Sequence, residues 1–347
     1  MFSRENIKTI IKIPLFLAIG FGILYFVYIK QSRAYQQECI LKGIAAADCN
    51  LMKKVYTDFI HSNVFYLLLV LFMFFLSNVA RALRWKMMLQ TMDINPKFSS
   101  AFHSIMLGYF ANLGIPRIGE FVRAGALAKK ENTKFDKVMG TIVLDRLLDF
   151  ISLGIVFLLA LYFSYDKIID FIMANSDLSN KMPTQQQNYY LLAILVLSGG
   201  LVILLFRNKT FKSSVIGKKI TGFIKGLIEG FKSIKSIKKP GLFIFYSVFI
   251  WSMYFLMNYF GFKAFHATSG LGLQAAIVIL AYGSLGIVIP SPGGMGTYHF
   301  LVTEALRLYG ISGSDGFSYA NIIFILIQIV GIVFFGIIAL FALNRKR

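Results

Sequence analysis

Arg117, Glu120 and Arg123 recur at every third position of one short segment, and Asp145, Arg146 and Asp149 follow further down the chain. The i, i+4 separation of the two aspartates places both carboxylates on one face of a helix. A guanidinium is a planar fork of donors that matches a carboxylate or a phosphate two bonds at a time. The pattern therefore supports two chemistries. One is an ion-pair network that locks helices together. The other is an anion site, in which the acids orient Arg117 or Arg123 and leave one guanidinium for a phosphate. A second turn, Pro290-Ser291-Pro292-Gly293-Gly294-Met295-Gly296, leads to His299 and Glu304. Backbone N–H groups opening the helices after Gly119 and Gly294 would extend an anion site. His299 has the side-chain type that titrates near neutrality, and a packing or hydrogen-bonding histidine is the other reading. No His/Cys/Asp/Glu cluster has metal-ligand spacing, and neither a Gly-x-Ser-x-Gly elbow nor a phosphate loop occurs. Neither a metal nor a cofactor is expected.

The elements that must carry these residues are membrane helices. Apolar residues make up 57% of the 347, aromatic residues 16%, and charged residues only 15%. The charge that remains is one-signed, 36 Lys and Arg against 16 Asp and Glu, for a net +20. Nucleic acid is the usual partner of such a balance, but no basic soluble domain is left once the apolar segments are removed. Anionic lipid surfaces fit better.

A spanning helix needs about 20 mostly apolar residues, because lipid satisfies no backbone polar group. Six segments qualify: Ile10 to Ile29, Val64 to Trp85, Val138 to Phe163, Tyr189 to Phe206, Leu242 to Phe262 and Phe317 to Leu343. The first is too long for a signal peptide and lacks a cleavage site, so it reads as an anchor. The loop from Arg207 to Lys239 carries ten basic residues against the acid Glu229, and short basic loops stay in the cytoplasm. Both termini are then cytoplasmic. Lys30 to Asn63 and Ser164 to Asn188 lie outside. Cys39 and Cys49, the two cysteines, both fall in the first outside loop, where an oxidising compartment would let them bridge.

Two apolar regions are broken too early to cross. Ser100 to Lys130 is interrupted at Gly114 to Glu120, and Leu271 to Gly310 at Pro290 to Gly296. Proline and glycine clusters at membrane depth are tolerated where protein or water covers the freed backbone. Both regions read as re-entrant helical hairpins. The order span, hairpin, span runs over about 64–163 and again over about 242–343, with Pro116 and Pro290 in corresponding places. Inverted repeats with broken helices that meet near the midplane are a recurring transporter build. The expected fold is thus an all-α polytopic integral membrane protein with about six spans, two re-entrant hairpins and an inverted repeat. It forms one transmembrane domain over 1–347, with a basic cytoplasmic loop at 207–240. Arg81 and Arg84, at the inner end of the second span, are expected to snorkel to the headgroups, as is Arg123.

The string Asn112-x-x-x-Pro116-Arg117-x-Gly119-Glu120-x-x-Arg123, then Asp145-Arg146-x-x-Asp149, then Pro290-x-Pro292-Gly293-Gly294-x-Gly296, resembles the lysylphosphatidylglycerol synthase transmembrane region family. The resemblance covers nearly the whole chain. It implies a flippase-like protein of the bacterial inner membrane that moves an anionic or aminoacylated phospholipid, or a polyisoprenoid-linked lipid, between leaflets. The family's synthases carry a soluble aminoacyl-transfer domain after the membrane part, and the chain ends a few residues past its last span, so a transporter is expected and aminoacyl transfer is not. Where the family often has an acid after the Pro-Gly-Gly turn, this chain has His299, with Glu304 a little over one turn on as the candidate substitute.

The resulting site is a cavity between the hairpin tips. Arg117, Glu120 and Arg123 line one side, with Asn112, Gly119, Asp145, Arg146 and Asp149 in support. Pro292, Gly293, Gly294, Gly296, His299 and Glu304 form the other. The rival readings are an intramembrane enzyme of headgroup modification, with Glu120, Asp145, Asp149 or His299 as acid and base, and a scaffold for lipid-synthesis enzymes. Expected partners are a membrane phospholipid or polyisoprenoid lipid, such enzymes, and a second copy of the chain in a homo-oligomer.

Overall fold

The computed structural model describes residues 4–45, 49–174 and 237–344, with side chains described from residue 18 onward and not for 168–174. Contacts divide the chain into two units, one of residues 1–164 with 239–347 and one of residues 165–238. The expected span Tyr189 to Phe206 and most of the basic loop lie in the second unit, outside the described residues.

The described residues hold helices and no strand: α1 (Arg4–Leu41), α2 (Leu51–Ile60), α3 (Val64–Gln90), α4 (Phe98–Gly114), α5 (Gly119–Lys130), α6 (Phe135–Ala174), α7 (Pro240–Ala264), α8 (Leu273–Val288), α9 (Thr297–Arg307), α10 (Gly313–Phe324) and α11 (Phe334–Asn344). A π-helical stretch, Ile325–Val333, joins α10 to α11. Among the described residues four stretches are long and apolar enough to cross a membrane: Val64–Gln90, Phe135–Lys167, Pro240–Ala264 and Gly313–Asn344. They cover four of the six expected spans. The first expected span, Ile10 to Ile29, falls inside α1.

Local chemistry starts these helices where the sequence offers caps. Asn63 Oδ1 accepts from the Phe65 amide at the head of α3, Ser312 Oγ from the Asp315 amide at the head of α10, and Pro240 opens α7. α3 and α7 pack along each other, and between them and the second half lies a core that includes Val70, Phe74, Phe262, Ile279, Val302 and Tyr319.

Between the long helices sit two helical hairpins. α4 and α5 have 17 and 12 residues, and α8 and α9 have 16 and 11. At 1.5 Å per residue these limbs reach about 16 to 26 Å, short of the roughly 30 Å of hydrocarbon. Each hairpin closes on a glycine. A Cβ on Gly108 would lie 2.8 Å from the Gly119 carbonyl oxygen, and one on Gly286 would lie 2.7 Å from Tyr298 Cα. The element order α3, α4–α5, α6 is repeated by α7, α8–α9, α10–α11.

Cys39 and Cys49 form a disulfide. Lys54 of α2 bridges Asp58 at 2.9 Å and Asp315 of α10 at 2.6 Å. Burial lowers the Lys54 pKa, but its hydrogen bonds and attraction to Asp315 and Asp58 outweigh that and leave it raised. The disulfide closes a loop whose ends are 10 residues apart, so Cys39→Ser is expected to cost about 2 to 3 kcal/mol in thermal unfolding under oxidising conditions. The same substitution should change nothing in reducing buffer.

Candidate functional site

The site grows from two interruptions. After α4, Ile115 leaves the helical conformation and Arg117 takes φ 64°, the left-handed region that side-chain-bearing residues rarely occupy. That conformation turns the chain so that α5 starts at Gly119, whose amide donates to Asn112 Oδ1 at 2.7 Å. Asn112 therefore holds the turn shut from within the hairpin. In the second turn Gly293, Gly294 and Gly296 all have positive φ, 57°, 84° and 81°. Residues without a Cβ take up those angles at little cost. Thr297 Oγ1 fastens this turn by donating to the Gly286 carbonyl at 2.6 Å, and it lies 2.9 Å from Ser291 Oγ.

The two turns meet. Arg117 Nη2 reaches the Val288 carbonyl at 3.4 Å, and a Cβ on Gly293 would lie 2.9 Å from Leu113 Cδ2. α1 lies against the second turn as well, since a Cβ on Gly20 would approach Pro292 Cδ at 3.0 Å. Gln328, 8% exposed, sits beside Gly293 from the π-helical stretch, its Oε1 3.5 Å from that same Cβ position. π-Helical insertions recur at functional sites. Gln328 was not singled out from the sequence, although a lone amide in a long apolar run is a signal in its own right.

Behind the first turn lies a buried network of charge. Asp145 of α6, fully buried, pairs with Arg84 at 2.6 Å, Arg123 at 3.0 Å and Arg81 at 3.4 Å. Asp149 pairs with Arg81 at 2.6 Å and Arg84 at 2.7 Å. Arg81 also donates to the Tyr254 hydroxyl, and Arg84 to Ser247 Oγ. Arg123 stacks on the Trp85 ring at 3.7 Å, and the Trp85 indole donates to Thr141. The expectation that Arg81, Arg84 and Arg123 snorkel is overturned: they are 3%, 0% and 2% exposed. Arg84 stands six residues before the end of α3, about 9 Å from it, and two carboxylates at its own depth hold it more favourably than water at the end of a stretched side chain.

The network ties α3, α5, α6 and α7 together at one level. Glu120 and Arg146 add an outer pair at 3.3 Å, and Arg146 lies 3.8 Å from Asp149. Four guanidinium groups thus share three carboxylates. Among the described residues Arg123 Nε and Nη2 have no hydrogen-bond partner, nor has Glu120 Oε2. Arg117 is exposed and has no carboxylate within ion-pair distance among the described residues.

Not every candidate belongs to this assembly. Arg123 turns towards Trp85 and Asp145, away from the second turn. His299 is 1% exposed, packed on the Phe324 ring at 4.6 Å, and accepts from the Gly296 amide at 3.3 Å. Its role here is packing and capping. Glu304 pairs with Lys30 of α1 at 2.9 Å and with Arg307 at 3.6 Å. The amides expected to bind an anion are partly engaged already: that of Gly119 by Asn112, those of Gly294, Met295 and Gly296 by Ser291, Pro292 and His299. Among the described residues the groups that remain at the meeting of the turns are the Arg117 guanidinium and the Gln328 amide.

Residues 40–336 match the family described as the lysylphosphatidylglycerol synthase TM region. A UPF0104 membrane protein of Pyrococcus horikoshii is 24% identical over 262 residues, covering 71% of this chain and 76% of that protein. Another, of Methanocaldococcus jannaschii, is 24% identical over 240 residues, covering 68% of this chain and 95% of its own length. No solved structure matches. With the family match spanning both hairpins, the buried arginine–aspartate network and the spanning helices on either side, the chain is a membrane protein of the lysylphosphatidylglycerol synthase transmembrane region family.

Proposed function

We propose that the protein is a lipid translocator, which passes the headgroup of an anionic or aminoacylated phospholipid, or of a polyisoprenoid-linked lipid, between the two hairpin turns while the acyl chains stay in the bilayer. The observation that carries this reading is Arg117. It is held in a strained left-handed conformation where the two turns touch, exposed, and without a carboxylate partner among the described residues. Strain of this kind costs about 1 kcal/mol or more and persists where the surroundings impose it. A guanidinium kept there suits a phosphate. The surplus of guanidinium over carboxylate groups in the network behind it favours an anion in the same region.

In this reading the α4–α5 and α8–α9 hairpins are re-entrant and belong to an inverted repeat, one entering from each face, so that their turns meet at depth. The buried network serves as the fixed floor against which the turns can part. The setting we propose is a plasma membrane with both termini cytoplasmic, following the basic loop; the bacterial inner membrane is the sequence-based expectation, and the two relatives above are archaeal. Acid–base catalysis has less support. Asp145 and Asp149 are each shared among arginines, and His299 packs on aromatic rings.

The test is headgroup translocation in proteoliposomes with three labelled lipids: phosphatidylglycerol, an aminoacylated phosphatidylglycerol and a polyisoprenyl phosphate. Protein-dependent movement of at least one is expected. Folded protein that moves none of them would transfer the weight to the enzyme or scaffold readings.

A further inference from the structure

A cavity of about 670 Å³ lies at the foot of the first hairpin, far from the meeting turns. The first two turns of α4 supply Ser99, Ser100 and His103, the end of α5 supplies Lys130, and the end of α11 supplies Ile338, Phe341, Ala342 and Leu343. Along α4 it is separated from Gly114 by about 20 Å. Its two walls differ in chemistry. One is polar and basic, and the other is aliphatic and aromatic, with Phe341 72% exposed and Ile338 39% exposed.

On the polar wall the first turn of α4, Ser100 and His103 have unused capacity. Lys97 at the head of α4 offers no side-chain cap, so the first-turn amides have no such acceptor. Ser100 is 4% exposed, yet its hydroxyl makes no hydrogen bond among the described residues. His103 is oriented by the Ser99 carbonyl at 2.7 Å through Nδ1, which leaves Nε2 for another partner. Lys130 Nζ sits over the last carbonyls of α11, 3.1 Å from Leu343 and 3.3 Å from Ala342, and this anchors a positive charge at the cavity wall. Among the described residues no acidic residue lines the space. The volume is within the roughly 300 to 1,000 Å³ of small-ligand sites.

We infer that this cavity is a second lipid site, which takes the phosphate of a glycerophospholipid against Lys130, His103, Ser100 and the uncapped turn of α4, with an acyl chain along Ile338 and Phe341. The basic C-terminal residues Arg345-Lys346-Arg347 follow directly in the sequence, which assigns this end of the molecule to the cytoplasmic leaflet. Phosphate and acyl chain are recognised together. The site holds lipid whether or not the hairpin turns move it.

Native mass spectrometry of delipidated protein, carried out in an Arg117→Gly background so that the hairpin turns do not contribute, tests the inference. The probes are phosphatidylglycerol, diacylglycerol with the same chains, and inorganic phosphate. Phosphatidylglycerol is expected to bind, and diacylglycerol and inorganic phosphate at least about tenfold more weakly, as when a charged hydrogen bond or the buried chain is lost. Lys130→Gln keeps a donor for the α11 carbonyls but removes the charge, and Ser99→Trp fills the mouth from an exposed position; each should weaken phosphatidylglycerol about tenfold at unchanged melting temperature. Equal binding by the parent and both variants would overturn the inference. So would diacylglycerol binding as tightly as phosphatidylglycerol, which would mean a greasy groove, or inorganic phosphate binding as tightly, which would mean a site for the free anion.

Discussion

Asp145→Ala is expected to destabilise the protein by about 3 to 5 kcal/mol, the usual cost of removing one member of a buried ionic network. Asp145 is fully buried and receives Arg84, Arg123 and Arg81 at 2.6, 3.0 and 3.4 Å. Without it Arg81 and Arg84 keep only Asp149, and Arg123 loses its one carboxylate partner among the described residues, in a setting where a lone charge costs several kcal/mol. The penalty comes mostly from the stranded cations. Removing Arg123 together with Asp145, as Arg123→Leu with Asp145→Ala, should therefore recover part of the loss, because the pair of changes leaves less uncompensated charge. Thermal unfolding in detergent of the single and double variants decides the matter. A double variant less stable than the sum of the two singles would mean that the network is held by packing and not by charge.

Gly119→Ala is the second large effect. The new Cβ would clash with the Gly108 carbonyl oxygen and lie 2.7 Å from the Asn112 side chain. Asn112 can swing away, but the Gly108 carbonyl is backbone and can yield only if α4 and α5 separate. Overpacking of this type costs about 1 to 3 kcal/mol, and the added loss of the Asn112 cap costs about another 1 kcal/mol. The turn that carries Arg117 would shift with it. Gly114→Ala, four residues away in the chain from Ile118 and with nothing within 4 Å of its Cβ position, is the internal control and should be tolerated. Equal stability of the two variants would contradict the close approach of the hairpin limbs.

Much of this architecture can be read from the residues. Val64–Gln90, Phe135–Lys167, Pro240–Ala264 and Gly313–Asn344 are apolar enough to announce themselves, and the clusters around Pro116 and Pro290 mark where helices must break. Which way a helix is rotated is harder, because hydrophobicity all round gives no direction. Arg81 and Arg84, three residues apart near the inner end of a span, fit snorkelling as well as burial until their depth is matched against Asp145 and Asp149. That match in spacing between α3 and α6 was the available signal. His299 shows the opposite limit. Its position after the glycine turn suggested a place facing the first hairpin, but α9 turns it towards Phe324 and Phe317. The approach of Arg117 to Val288 and of Gln328 to Gly293 is tertiary, and no local pattern encodes it.

In the proposed function Arg117, at the meeting of the turns, handles the lipid headgroup. Gly fits the left-handed conformation that Arg117 adopts at φ 64°, so Arg117→Gly removes the guanidinium without a backbone penalty. The decisive measurement is the rate of headgroup translocation in proteoliposomes by wild type and Arg117→Gly, at matched protein content and matched melting temperature. A fall of about tenfold or more is expected in the variant, as for loss of a charged contact to phosphate. Translocation at the wild-type rate would contradict it.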